Sequence, residues 1–356
     1  MSERLRVSFG IGLVAVAAAL GAVPATAQPF VAWMVVSGPT NGYIEVPHSP
    51  ALNPTSGFTL EAWVNVTDPG GCSSIAGKGY QSAWWVGICG TTLRSYLRGS
   101  SGPAGTEFGL RDAGKIPPGQ WTHVAVVFDG SHRIHYINGE QVGFFAETSG
   151  LTTNSSAVRI ASDVNYNNHT PVGGIDEVRL WNVGRSQDQI RGSINVPLSS
   201  GTGLVASWHL DNSTIDSAGG HTGTVIGSVD PGFFTTVANC GSSTVSQLCL
   251  HSRFRVRSTF RTGAPGTAEG NASVVVAGAD SGILWFFSAN TWEVMVKALD
   301  GCGLNSRFWL FSAATTNVQY RLEVLDVVGA RQKIYFNYPG PPAPAVTDVA
   351  AFATCP

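Results

Sequence analysis

Two neighbouring acids, Asp176 and Glu177, are the first candidates for chemistry. They lie in Gly173–Ile190, whose pattern predicts a core strand, a turn and a short helix that Ser186 begins. A retaining glycosidase needs two carboxyl groups about 5 Å apart, whereas adjacent residues of a regular strand point to opposite faces. The apolar residues beside the two acids break strict alternation, which predicts a β-bulge and favours a structural role for both.

The loop Ser162–His169 is a better candidate for a metal site. Asp163, Asn165 and Asn167 offer one carboxylate and two amide oxygens, the hard ligands that Ca²⁺ prefers. Together with Tyr166, the same residues form the candidate ligand-binding site. A solvated polar loop of good turn-forming residues is the alternative, and the sequence favours it.

Other catalytic or metal patterns are weak. His132-x-x-His135 spans a turn into a strand, where the two imidazoles would not converge on zinc as they do across a helical turn. No Gly-x-Ser-x-Gly motif marks an activated serine. The sequence therefore identifies no catalytic residue, but it leaves a triad open because triad members need not be close in the chain.

Aromatic side chains could stack on sugar rings. Trp84, Trp85, Tyr166 and Trp181 are the candidates for such a platform. Most tryptophans of a β-sandwich belong to its core, because a large apolar side chain stabilises the fold most when it is buried. The sequence therefore favours burial over a sugar-binding role for these tryptophans.

The composition disfavours some partners and predicts export. A net charge of −2 and 12% charged residues give no electrostatic reason to expect nucleic acid or an anionic membrane as a partner. Arg4 and Arg6, the apolar run Ile11–Val23 and the small residues Ala25–Ala27 predict a secretory signal cleaved after Ala27. An uncleaved anchor is the alternative. No later apolar run is long enough for a membrane helix, so the expected location is extracellular or periplasmic.

Six cysteines fit an oxidising compartment. Cys72 and Cys89 lie in the first half of the chain, at a spacing that suits two neighbouring strands of a hairpin. A disulfide within each region is the simplest pairing. The four cysteines of the last third allow three connectivities. The preferred pairs among them are Cys240–Cys249 and Cys302–Cys355.

Short strands separated by turns account for most of the chain. Phe58–Val64 alternates with the period of two expected for a strand with one buried face, and Asn138-Gly139 between apolar strands is a strong hairpin signal. The predicted fold is all-β, with an N-terminal antiparallel jelly-roll β-sandwich and a second, smaller β-rich domain. Further strands are predicted at Tyr43–Pro47, Gly71–Lys78, Ser82–Ile88, Trp121–Phe128, Arg133–Ile137, Gln141–Phe145, Ala157–Ile160, Leu204–Leu210, Thr222–Ile226, Arg253–Arg257, Ser273–Ala277, Ile283–Phe287, Glu293–Leu299, Phe308–Phe311, Val318–Asp326 and Gln332–Phe336.

Six motifs in order resemble those of laminin-G-like (concanavalin A-like) jelly-roll domains of the pentraxin-related type. The resemblance covers Trp33–Gly227 and implies a jelly roll that hosts binding modules as well as glycosidases. The related β-glucanases use Glu-x-Asp-x-x-Glu on a central strand, a pattern that is absent here. Related pentraxins place calcium ligands in the loop equivalent to Ser162–Thr170, but Tyr80-Gln81 replaces their Asp-Asn pair. The motifs are Tyr43-Ile-Glu-Val-Pro, Phe58-Thr-Leu-Glu-Ala-Trp-Val, Trp121-Thr-His-Val-Ala, Tyr136-Ile-Asn-Gly-Glu, Gly174-Ile-Asp-Glu-Val-Arg-Leu-Trp-Asn and Gly203-Leu-Val-Ala-Ser-Trp-His-Leu-Asp.

The last third resembles a C-terminal β module of exported bacterial proteins of unknown role, through Leu248–Val256, Trp292–Cys302 and Arg307–Phe311. The predicted organisation is a signal peptide (1–27), a laminin-G-like sandwich (30–227), a linker (228–239) and a disulfide-bonded β-sandwich-like domain (240–356). The predicted function is a secreted, non-catalytic recognition or adhesion protein that binds carbohydrate or a protein surface through loops of the first domain. An exported glycoside-active hydrolase and a structural cell-surface component are the alternatives.

Overall fold

Alternating side chains build the first of two β-sandwiches. The computed structural model describes residues 42–66, 70–97, 109–147, 150–165, 173–229, 236–265 and 267–356. In strand β2, Phe58–Val66, the side chains of Phe58 and Leu60 join the hydrophobic core, whereas Glu61 and Trp63 lie on the opposite face of the sheet. Every residue of β2 is buried, so this central strand is covered on both faces.

The first sandwich consists of two antiparallel sheets. The seven-stranded sheet has the order β13-β1-β10-β3-β4-β5-β6, and the six-stranded sheet has the order β12-β11-β2-β7-β8-β9. The other strands are β1 Tyr43–Val46, β3 Cys72–Gly77, β4 Trp84–Cys89, β5 Thr92–Leu97, β6 Leu110–Lys115, β7 Thr122–Phe128, β8 His132–Ile137, β9 Glu140–Ala146, β10 Val158–Ile160, β11 Gly173–Trp181, β12 Leu204–Trp208 and β13 Thr224–Ile226.

Helix α1, Gln187–Ser193, covers the outer face of the six-stranded sheet. Its N-cap is Ser186, whose hydroxyl accepts a hydrogen bond from the Gln189 backbone amide while the Gln189 side chain accepts one from the Ser186 amide. Ile190 is fully buried and packs against β7 and β8. The predicted helix start at Ser186 is therefore confirmed.

The second sandwich also consists of two antiparallel sheets. Their orders are β14-β15-β21-β22, with β16 paired to β15, and β17-β18-β19-β20-β23. The short helix α2, Cys302–Asn305, precedes β20. The strands are β14 Leu248–Leu250, β15 Phe254–Arg261, β16 Gly270–Asn271, β17 Ser273–Val276, β18 Ser281–Trp285, β19 Val294–Asp300, β20 Phe308–Ala314, β21 Gln319–Asp326, β22 Arg331–Asn337 and β23 Val346–Phe352.

The antiparallel all-β architecture with a second β domain agrees with the sequence prediction, although the strands β5, β6, β14, β16 and β23 were not predicted. The domain boundaries drawn from the sequence stay predictions, and the segment 1–27 with the Ala27 cleavage site lies outside the described residues. Within the described ranges, no helix has the length and apolar character needed to cross a membrane.

Three disulfides join the six cysteines in the pairs that the sequence predicted. Cys72 and Cys89 lie opposite each other in the β3–β4 hairpin. The second sandwich contains the other two bonds, Cys240–Cys249 and Cys302–Cys355. The last bond ties the C-terminal end of the chain to the first residue of α2.

The two sandwiches pack against each other through the outer face of the six-stranded sheet. Trp63 of β2 stacks on Phe336 of β22, with ring centroids 6.1 Å apart. Beside them, the Arg261 guanidinium of β15 forms a buried ion pair with Glu140 of β9. The Arg191 guanidinium of α1 lies 4.0 Å from the ring centroid of Tyr338. The contact surface between the two sandwiches therefore contains stacked rings and a buried ion pair.

Candidate functional site

The predicted loop site begins where the chain leaves β10. The order of the sheet places β10 beside β3, so the loop after β10 meets the turn between β3 and β4. The Asp163 carboxylate is buried, and its Oδ2 accepts a 2.9 Å hydrogen bond from the Tyr80 backbone amide. Its Oδ1 accepts a 2.8 Å bond from the Asn165 amide, and the Asn165 side chain donates to the Tyr80 carbonyl. We refer to residues 78–82 and 161–165 together as the Tyr80 rim.

Aromatic rings lie against this rim on the outer face of the seven-stranded sheet. The ring of Tyr80 is partly exposed, and its centroid lies 5.6 Å from that of Trp85 and 5.1 Å from that of Tyr96. Trp85 and Tyr96 are buried, and Trp85 donates a 2.8 Å hydrogen bond from its indole nitrogen to Ser74 Oγ. Two fixed aromatic rings therefore support the partly exposed ring of Tyr80.

Two glycines make this arrangement sterically feasible. A Cβ atom at Gly77 would lie 2.8 Å from both Asp163 Oδ2 and Trp85 Cδ1. A Cβ atom at Gly87 would lie 2.3 Å from the Trp85 ring. Only glycine lets the carboxylate and the indole approach the backbone this closely, so both positions belong to the construction of the rim.

In the described part of the predicted loop, the Asp163 carboxylate binds backbone amides. Both oxygens of Asp163 accept backbone hydrogen bonds, which is the chemistry of a loop-stabilising aspartate. Ca²⁺ takes six to eight oxygen ligands, yet no group of three or more His, Cys, Asp or Glu converges anywhere in the described ranges. Tyr166 and Asn167 lie outside those ranges, so the predicted set of Asp163, Asn165 and Asn167 stays a prediction.

The tryptophans considered as sugar platforms are core residues. Trp84, Trp85 and Trp181 are 3%, 2% and 4% exposed, which leaves too little ring surface for a ligand to stack on. This is the alternative that the sequence favoured. Among the described residues of the rim, the partly exposed aromatic ring is that of Tyr80, which was named from the sequence only as a departure from the pentraxin pattern.

The two adjacent acids of β11 take part in a buried network. The register of β11 against β2 shifts between Asp176 and Arg179, and Glu177 adopts a φ of 51°, so the predicted bulge is present. Glu177 Oε2 accepts a 2.8 Å hydrogen bond from Arg179, which also contacts Glu61 at 3.6 Å. The carboxylates thus compensate a buried guanidinium, and this agrees with a structural role.

Ser217, His209 and Glu177 lie in a row at the other end of this network. The sequence had left open whether the protein contains a catalytic triad. Ser217 Oγ lies 2.9 Å from His209 Nε2, and His209 Nδ1 lies 2.9 Å from Glu177 Oε1. The hydrogen bond that the His209 imidazole donates to the Glu177 carboxylate raises the pKa of His209, and burial raises the pKa of the nearby Asp211 to about 6. These distances match those of a catalytic triad.

The surroundings of Ser217 do not match those of a nucleophile. Its own backbone amide donates to the Ser207 carbonyl, and the amides of Ala218 and Gly219 donate to Asp216. Ser217 Oγ also lies 3.2 Å from the Ser207 carbonyl. An acyl-transfer site needs backbone donors aimed at the developing oxyanion, and these three amides are already occupied. The contacts from Ser217 through His209 to Glu177 therefore hold the loop after β12 against β11.

We expect Ser217 to resist a fluorophosphonate probe, which labels serines activated by a neighbouring base. The wild-type protein should show no adduct by intact mass, because no free donor adjoins Ser217 to stabilise the tetrahedral species. The Ser217→Ala variant is the matched control. Labelling of the wild type that disappears in this variant would overturn the structural reading and favour the hydrolase alternative.

His132 and His135, the two histidines with the spacing considered for zinc, lie in different environments. His132 is partly exposed, and its Nδ1 lies 3.4 Å from Asp129 Oδ2. His135 is fully buried, its Nε2 lies 2.8 Å from Ser95 Oγ, and burial lowers its pKa to about 3. The structure does not bring the two imidazoles together on one ligand.

A protein-family model matches much of the first sandwich. The family model described as the concanavalin A-like lectin/glucanases superfamily matches residues 38–191. Mouse (Mus musculus) pappalysin-1 is 36% identical over 78 residues, which cover 20% of this chain and only 5% of pappalysin-1.

Two solved structures are similar to this chain at low identity. A putative carbohydrate binding protein from Bacteroides ovatus has a TM-score of 0.46 at 21% identity, with 56% of this chain and 59% of that chain covered. A heptameric SAP-like pentraxin from Limulus polyphemus has a TM-score of 0.41 at 16% identity, with 56% and 92% covered. Taken with the sandwich of two antiparallel sheets, the family match shows that residues 38–191 belong to a laminin-G-like domain of the concanavalin A-like superfamily.

Proposed function

We propose that this protein is an exported, non-catalytic recognition protein that binds carbohydrate at the Tyr80 rim. The observation that carries the proposal is the partly exposed Tyr80 ring, which Trp85 and Tyr96 support from behind. An aromatic face packs against the C–H groups of a sugar ring, and adjacent amides bind its hydroxyls. Asn165 is exposed beside Tyr80 and is held by its own hydrogen bond to the Tyr80 carbonyl.

The rim is rigid enough to recognise a ligand without a large loss of entropy. Asp163 fixes the Tyr80 backbone, and Arg159 donates a 3.2 Å hydrogen bond to the Asp163 carbonyl. Arg159 also pairs with Glu45 and stacks over Tyr43, 4.5 Å from its ring centroid. Binding to a loop that is already ordered forfeits less conformational freedom than binding to a mobile one, so a small ligand is a suitable partner.

Export is supported by the disulfides and by the predicted signal. Three disulfides with no free cysteine fit an oxidising compartment better than the cytoplasm. The basic and apolar start of the chain, with cleavage proposed after Ala27, has the composition of a secretory signal. Extracellular or periplasmic carbohydrate is therefore the partner class that the proposal names.

A glycan array with wild-type protein tests the proposal, and Tyr80→Ala locates the site. We expect at least one carbohydrate to bind, and its affinity to fall roughly two- to tenfold in the variant, because an aromatic contact contributes about 0.5–1.5 kcal/mol. Phe144→Ala is the matched control, since Phe144 is 54% exposed on β9 and its loss should leave binding unchanged. Silence across the array would contradict the proposal and favour a structural cell-surface role.

The same array with a chelator present shows whether carbohydrate binding at the Tyr80 rim requires Ca²⁺. Because the Asp163 oxygens bind backbone amides, we expect the signals to persist without calcium. Signals that vanish in chelator and return with Ca²⁺ would restore the predicted calcium set of Asp163, Asn165 and Asn167.

A further inference from the structure

A polar cleft lies between the two sandwiches, away from the Tyr80 rim. One part has a volume of about 230 Å³ and is bordered by Asn65 and Gln120 from the first sandwich and by Arg255 and Glu323 from the second. A second part, of about 430 Å³, adjoins it at Gln120 and continues along β15. Each part needs residues of both sandwiches, so the cleft exists only in the assembled protein.

The narrower part contains polar groups without partners. Asn65 is 2% exposed, and its Oδ1 makes no hydrogen bond. Arg255 forms no ion pair with any described residue, and its Nε is buried without an acceptor. A buried polar atom without a partner is costly in a folded protein. Both residues border the same space, so the Asn65 amide and the Arg255 guanidinium lie together at one cleft.

The charge of the narrower part is positive. Arg257 borders it as well and bonds the neutral amide of Gln247, with Nη2 2.7 Å from Oε1. The only acid among the lining residues, Glu323, lies 2.7 Å from Arg321. Among the described residues, Arg255 and Arg257 therefore lack a carboxylate of their own. A guanidinium in this situation favours a carboxylate ligand, which it can bind through two parallel hydrogen bonds.

The geometry points to a binding site for an acidic sugar in this cleft, with Arg255 binding the carboxylate of a uronate residue and Asn65 and Gln120 binding its hydroxyls. Side-chain amides donate and accept hydrogen bonds, as hydroxyl groups do, so they suit the rest of the ring. The adjoining larger space extends the site along β15, which fits an oligosaccharide better than a single sugar.

Calorimetric titration of the full chain with trisaccharides of galacturonate, glucuronate and mannuronate tests this inference. We expect one of them to bind, and its methyl ester to bind about tenfold more weakly or worse, because the ester removes the negative charge that the Arg255 guanidinium would bind. Arg255→Gln should weaken the acidic trisaccharide by about tenfold or more, and Gln120→Ala should weaken it by a smaller factor. Arg307→Gln removes the same charge from a site outside the cleft and should change nothing.

Several outcomes would overturn the inference. These are failure of all three acidic trisaccharides to bind, unchanged affinity in Arg255→Gln, and competition by acetate as strong as that of the trisaccharide, which would identify a simple carboxylate site. The Tyr80→Ala variant should keep its affinity for the acidic trisaccharide. If Tyr80→Ala loses binding of the acidic trisaccharide while Arg255→Gln keeps it, the ligand binds at the Tyr80 rim and not in the cleft.

Discussion

Replacing Glu61 with alanine is expected to destabilise the first sandwich by about 3–5 kcal/mol, the range for removing one partner of a buried ion pair. Glu61 is fully buried, and its Oε1 accepts hydrogen bonds from Trp181 at 2.9 Å and from Arg185 at 2.7 Å. Arg179 lies 3.6 Å away and is equally buried. Without the carboxylate, Arg185 would lose its only described ion-pair partner in an environment that water does not reach.

Denaturant unfolding of wild type and variant measures this effect from the midpoints and slopes. Glu45→Ala is a suitable control, because Glu45 also pairs with an arginine of the same sandwich, Arg159, but its side chain is 37% exposed. An exposed pair contributes about 1 kcal/mol or less. An equal decrease in the free energy of unfolding in Glu61→Ala and Glu45→Ala would show that burial does not determine how much the Glu61 ion pair contributes to stability.

Replacing Asp348 with alanine is expected to destabilise the second sandwich by a similar amount, about 3–5 kcal/mol. Lys333 and Asp348 are buried on facing sheets, with Nζ 2.7 Å from Oδ2. The Tyr335 hydroxyl donates to the same oxygen at 2.8 Å, and the Ala350 amide donates to Oδ1. The variant leaves one charged ammonium and one phenol without this acceptor.

The double variant Lys333→Met with Asp348→Ala separates charge from packing. It removes both charged groups and should regain most of the stability that Asp348→Ala loses, because no unpaired charge stays buried. A double variant as unstable as the single one would contradict the assignment of the loss to the unpaired ammonium.

The pH dependence of this pair has a defined sign. Burial lowers the pKa of Lys333 to about 8, although Asp348 opposes the shift. Between that value and the usual lysine pKa near 10.5, the unfolded chain binds more protons than the folded one, so the contribution of Lys333 to stability rises with pH in this window. In Asp348→Ala the opposing carboxylate is gone, and the rise should begin below about pH 8.

Local sequence patterns predicted those parts of the fold in which apolar alternation is complete. The alternation of β2 and β21, the Asn138-Gly139 turn and the Ser186 cap depend on residues a few positions apart. β6 was missed because it is an edge strand in which every residue is partly or fully exposed, so no buried apolar face marks it. β23 was missed because one of its inward positions carries a charged residue, Asp348, whose buried partners Lys333 and Tyr335 lie on another strand.

The candidate sites depend on contacts that no local pattern encodes. Asp163 and Tyr80 are 83 residues apart and meet because β10 lies beside β3 in the sheet. The acid and amides of the loop Ser162–His169 therefore predicted a site from sequence alone, whereas no local pattern placed the Tyr80 ring beside that loop. The cleft at Arg255 depends further on how the two sandwiches pack together, which the local pattern of neither sequence segment encodes.

The Cys302–Cys355 bond also determines how the chain would respond to mechanical load. A pull applied to the chain beyond Cys355 passes through the two sulfur atoms directly to Cys302. The intervening segment, which includes the paired strands β20 and β23, is then a closed loop that carries no tension. Tension applied in this way does not peel the edge strand β23 from its sheet.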